Sequence, residues 1–128
     1  MLNLASTDVL RVVTAAAAQI EVHASWGDLS GSTVTLGRSN AAITTATTTT
    51  VVASPGSGVV RNVRHLNVTN AHASASAKVT VEHFDGTTAV DLMAFILLPG
   101  ENMIFGEEGR WTHRDAQGAE YPPAGLGA

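Results

Sequence analysis

The stretch "VTVEHFDGTTAVDLMAFILLPGENMIF", residues 79 to 105, decides the fold class. Val79 and Val81 alternate with Lys78, Thr80 and Glu82, which is the period of a half-buried strand. Asp85-Gly86 supplies the positive φ angles that a tight hairpin needs. The return segment, Ala89 to Leu98, is apolar almost throughout and predicts a strand covered on both faces. "PGE" then turns the chain, and Asn102 to Phe105 pairs with Arg110 to His113 over "GEEG".

The same text continues upstream. Val9 to Thr14 is rich in β-branched residues and reads as the first strand, despite the capping residues "STD" before it. Ile20, Val22, Ala24 and Trp26 alternate with polar residues, so a second strand follows a turn at Ala15 to Ala17. "GDLSGSTVTLGRSN", 27 to 40, holds three Gly and several turn formers and reads as a long loop of the kind that carries contacts to a partner. A short piece at Ala42 to Thr45 and a strand at Thr47 to Ala53 precede the "SPGSG" turn. Residues 59 to 70 form a long strand in which Leu66 and Val68 share a face and Val63 breaks the register. A bulge near Val63 or Arg64 returns all three to the core. "AHASASA" is a loop of small residues. Eight or nine short strands with closely spaced turns predict an all-β chain, a single β-sandwich of the Ig-like or jelly-roll-like kind. Residues 1–8 read as an N-terminal arm, 9–114 as the sandwich and 115–128 as a loose tail rich in Pro and Gly.

Composition narrows the function. The chain has 128 residues, no Cys and a net charge of −4. Its length suits one domain that buries roughly two-thirds of its unfolded surface without staples. Only Arg61, Arg64 and His65 cluster as bases, too few to track a phosphate backbone, so no nucleic-acid partner is expected. The longest apolar run, Leu92 to Leu98, falls far short of the roughly 20 residues of a membrane span. Charged residues are 14% of the chain, well below the usual quarter or so, which suits either a surface packed closely against neighbours or the composition bias of a GC-rich genome.

No catalytic constellation emerges. "GDLSG" places Asp28 where a nucleophile elbow needs Gly, so Ser30 is not an activated nucleophile. Glu82 and Asp91 flank the hairpin, but paired carboxylates need a cleft, and solubility and edge protection account for them. His23, His65, His72, His83 and His113 lie on different segments with no metal-ligand spacing; a meeting of His65 and His83 on adjacent strands is the one pairing to consider. "SPGSGVV" lacks the Lys-Ser/Thr of a phosphate loop. No catalytic residue, metal or cofactor is therefore assigned. The residues expected to touch a partner are Leu2 and Leu4 on the arm, Asp28 and Leu29 in the loop, and Trp111 and Tyr121 near the end.

Five segments, "DVLRVVTAAAAQIEVHASWGDL", "TLGRSNAAITTATTTTVVA", "RNVRHLNVTN", "VTVEHFDGTTAVDL" and "LPGENMIFGEEGRWTHRDAQG", together resemble small virion-associated structural proteins of tailed bacteriophages. The resemblance covers most of residues 8 to 118 and is most specific in the closing "PGE", "GEEGRW" and "DAQG" pattern. It implies a virion component assembled in the bacterial cytoplasm, a homo-oligomer in contact with the major capsid protein or with neck or tail proteins. A decoration or cement protein on the capsid is the first expectation, and a neck or tail accessory ring the second. From another class, a glycan-binding module would need an exposed aromatic platform, for which Trp26, Trp111 and Tyr121 are the candidates.

Overall fold

The computed structural model describes residues 1–121 and contains ten strands and no helix among them. They are β1 (Leu2–Leu4), β2 (Val9–Thr14), β3 (Ile20–Ser30), β4 (Thr33–Ile43), β5 (Thr48–Val52), β6 (Val60–Asn70), β7 (Ala77–Phe84), β8 (Ala89–Leu97), β9 (Asn102–Phe105) and β10 (Trp111–Arg114). They form two antiparallel sheets compatible with a β-sandwich, neither closed into a barrel. The larger runs β10-β9-β6-β3-β4, with β1 also beside β6; the smaller runs β5-β2-β7-β8.

Period two builds the core. Leu10 and Val12 of β2, Ile20, Val22 and Ala24 of β3, and Val79 and Val81 of β7 all point into the space between the sheets. On β6, Ser25 pairs with His65 while Trp26 pairs with Val63, which leaves Arg64 as the extra residue of a bulge. The bulge brings Val63, Leu66 and Val68 to full burial from a sequence whose spacing would otherwise turn Val63 outward. It also marks a handover, because β1 pairs with β6 up to Val63 and β9 from Leu66 onward.

Two buried polar residues hold loop ends. Thr14 donates its hydroxyl to Thr45 O at 2.6 Å and accepts from Thr47 N at 3.1 Å. Asn70, fully buried, donates to Ala75 O and Leu97 O and accepts from His72 N. These bonds satisfy groups whose burial would otherwise be costly, and they order the small-residue loop 71–76.

Four expectations are corrected. Residues 1–8 are not a free arm: Leu2–Leu4 is a strand, and Leu4 is fully buried in the core. Residues 27–40 are not a loop but most of a long hairpin, in which β3 and β4 pair without interruption from Ile20/Ile43 to Ser30/Thr33. Only Gly31 and Ser32 turn, Gly31 at φ 60°. The short piece at Ala42 to Thr45 is accordingly the end of β4 and the turn after it. β8 is not covered on both faces; it is an edge strand with Val90 and Ile96 exposed, and Leu98 just beyond its end is exposed as well. The tail is ordered as far as Tyr121: Asp115 Oδ1 accepts from Gln117 N and Ala119 N, and the backbones of Arg114 and Glu120 pair as an isolated antiparallel bridge. The rest of the expected loose tail, 122–128, lies outside the described residues.

If β1 is part of the core, Leu4→Ala costs about 2–5 kcal/mol, as for other buried leucines. Urea unfolding checks this; a free arm would leave the midpoint unchanged.

Candidate interaction surface

The β3–β4 hairpin extends beyond the part of the larger sheet that covers the smaller one. The alternation that sends Ile20, Val22 and Ala24 inward sends Gly27 and Leu29 to the outer face. Cross-strand register places Val34 opposite Leu29 and Leu36 opposite Gly27, and Val60 opposite Leu29 on the other side. Leu29 is 42% exposed, Val34 63%, Leu36 72% and Val60 42%. Exposed Met1 borders the same area across a cleft of about 230 Å³ lined by Gly27, Leu29, Val34, Asn62 and Arg64. Scattered apolar residues on a surface need no explanation, but a contiguous patch of this kind marks a contact site.

The inner face of the ribbon is closed differently. Arg61 lies 4.6 Å from the centre of the Trp26 ring. Its Nε and Nη2 donate to Asp28 at 2.8 and 3.0 Å, and its Nη1 donates to Ala53 O at 2.7 Å. Trp26 lies across Gly37, where a Cβ would sit 2.3 Å from the indole Nε1. The group seals the end of the core where the ribbon leaves it.

The expected contact residues divide. Leu29 is on the exposed patch. Leu2 packs against the core and Leu4 is inside it, so neither is presented. Asp28 is committed to Arg61. Trp111 is half-buried and packs at a tilt against Phe105, with ring centroids 4.9 Å apart and the planes at 49°. Tyr121 is 41% exposed, but its hydroxyl donates to Glu101. Sequence reading missed Val34, Leu36, Val60 and Met1. The available signal was the alternation in "TVTLG", set against "GDL" across a Ser-Gly-Ser turn.

A second depression, of about 560 Å³ and of mixed polar and apolar lining, lies on the outer face between Glu21, His23, Asn40, Ala42, Asn67 and Thr69. His23 Nδ1 and Asn40 Oδ1 are 2.6 Å apart, and the His23 and His65 rings are 6.3 Å apart. His65 and His83 do not meet, because β6 and β7 lie in different sheets; His83 faces Asp8 at 3.4 Å instead. Glu82 and Asp91 are register partners, yet Glu82 is buried against Arg11, whose Nε donates to it at 2.6 Å. Among the described residues no three His, Asp or Glu gather as a metal would require.

Glu101 of the "PGE" turn is the most enclosed carboxylate, 3% exposed. Its Oε1 accepts from Leu98 N at 3.0 Å and lies 3.0 Å from His113 Nε2, and its Oε2 accepts from Tyr121. Burial pushes its pKa up, but the bonds from Tyr121, Leu98 and His113 outweigh that and hold it below its ordinary 4.5. The bond to Glu101 in turn raises the pKa of Tyr121.

A depressed carboxyl pKa means that Glu101 stabilises the fold fully above about pH 4.5, and that the contribution is lost as pH falls through the folded-state value. Acidification should therefore loosen the ring of Tyr121, the chain's single tyrosine, with an acid midpoint that Glu101→Gln abolishes. NMR of the Tyr121 ring signals against pH checks it; a titration unchanged in the variant would contradict the assignment. No family model matches the chain, and searches of curated proteins and of solved structures find no match either.

Proposed function

We propose that the chain is a structural protein of a tailed-phage virion, a decoration protein seated on the major capsid lattice. The observation that carries this reading is the ordered ribbon with an apolar outer face. The ionic groups inside the fold are spent on internal partners, Arg11 with Glu82, Arg61 with Asp28 and His113 with Glu101. What remains uncommitted is a surface suited to burial against another protein rather than to chemistry on a small substrate. The reading assigns no catalysis, no cofactor and no nucleic-acid contact. It places the chain in the assembled particle as one of many identical copies, each contributing modest contacts that add up on a lattice.

A glycan-binding module is the less favoured reading. Against it, Trp26 is covered by Arg61, Trp111 packs on Phe105, and Tyr121, though 41% exposed, is a single ring held to Glu101 through its hydroxyl.

Quantitative mass spectrometry of purified particles tests the proposal by counting this chain against the major capsid protein. Hundreds of copies are expected for a decoration protein. Six, twelve or a small multiple would move it to a neck or tail ring. Absence from the particle would overturn the virion reading.

A further inference from the structure

A sheet edge offers unpaired N–H and C=O groups to any strand that fits, and proteins blunt edges they do not use. Here four of the five edges are blunted. β1, beside β6, is only three residues long. β10 is four residues long, and residues 115–121 fold back on it, with Tyr121 N donating to His113 O at 2.8 Å. β5 carries a register shift against β2, between Val52 opposite Leu10 and Thr50 opposite Arg11. β8 carries one against β7, between Met93 opposite Val81 and Asp91 opposite Glu82. β4 alone is regular over all eleven residues of its pairing with β3. It holds no Pro, no Lys, no acid and one Arg. Its later half is tied toward β5 through Ser39 Oγ, which donates to Val51 O. The open part is thus Thr33 to Arg38, the part that bears Val34 and Leu36.

We propose that this edge pairs with the same edge of a second copy, antiparallel across a two-fold axis through Thr35. An axis perpendicular to the sheet keeps the outer faces of both copies on one side, so it must pass through a residue position. Centred on Thr35, it sets Val34 opposite Leu36 of the second copy, and Leu36 opposite that copy's Val34. The four side chains would form one apolar cluster continuous with Leu29 and Val60 of each copy. Arg38 falls opposite Ser32, so the pairing opposes no like charges, although each chain carries −4 overall. Centring on Leu36 instead would set Val34 against Arg38. A two-fold contact of this kind is self-complementary and closes at two copies.

The exposed parts of Leu29, Val34, Leu36, Val60 and Met1 make a patch of roughly a few hundred Å² per copy, comparable to the largest patch of a typical monomer. That is less than the roughly 800 Å² per partner of a standard stable interface. The pairing is therefore weak in dilute solution and is reinforced where copies are held close together. This deepens the self-assembly part of the virion reading by naming its surface and register, but its argument stands on the geometry of the edge alone.

Cysteine cross-linking tests the register, because the chain has no Cys of its own. Paired residues on antiparallel strands have Cα atoms about 4.5–5.5 Å apart, within disulfide range. Oxidised Thr35→Cys should run as a covalent dimer. Thr33→Cys, equally exposed but more than about 13 Å from its counterpart, should remain monomeric. Leu36→Arg, at a position too exposed to disturb folding, should weaken self-association at least about tenfold in sedimentation velocity. Equal cross-linking at 33 and 35, or none at 35 at the highest soluble concentration, would overturn the inference. So would unchanged association in Leu36→Arg. A chain that fails these tests yet is abundant in particles keeps the virion reading; one that passes them and is missing from particles keeps the dimer alone.

Discussion

β3 is hydrogen-bonded on both sides along its length, to β6 and to β4, and the rest of the molecule depends on its register. Its first half lies over the core. Burying Ile20, Val22 and Ala24 fixes which side every later residue faces, since a shift of one residue would turn the whole strand over. The core therefore dictates that Gly27 and Leu29 face outward. β4, paired without a break, must then place Val34 and Leu36 beside them. Folding demands the direction of these side chains but not their apolar character, because Thr or Ser would satisfy the same backbone. The patch is where the sequence goes beyond the needs of the core.

Carrying a strand past its core raises a second problem, that of sealing the open end. Arg61, Asp28 and Trp26 solve it together. The guanidinium covers the indole, the carboxylate and Ala53 O use its N–H groups, and Gly37 makes room for the ring. The charges are half-hidden but fully partnered, so the ribbon leaves the sandwich without exposing the core behind it. At the opposite edge of the larger sheet, Glu101 plays a comparable part, binding the turn before β9 to the segment after β10.

Elements with a clean period of two were legible in the sequence. β2, the inward half of β3, β7, the Asp85-Gly86 turn and the β9–β10 hairpin follow from alternation and turn chemistry alone. The β6 bulge followed from the spacing of Val63, Leu66 and Val68. The projecting ribbon was not legible, because Gly, Ser and Thr in "GDLSGSTVTLGRSN" serve a two-sided exposed strand as readily as a loop. β8 misled in the opposite sense: its apolar residues imply two covered faces, yet it lies at an edge. β1 is too short to show a pattern; it is held by its pairing with β6, by the buried Leu4 and by Leu2 packed beside it. The enclosure of Glu101 depends on His113 and Tyr121, whose approach is set by the fold-back after β10 and by no local spacing.

The outer edge of β4 is ordered but unpartnered in the single chain, and the proposed pairing would bury it between two copies. Residue-resolved amide hydrogen exchange, compared between dilute and concentrated samples, addresses it directly. The β3 amides should be protected in both, with new protection on concentration confined to the outward amides of residues 33–38. Protection that instead appears along β8, or a ribbon that exchanges freely on both strands at every concentration, would contradict it.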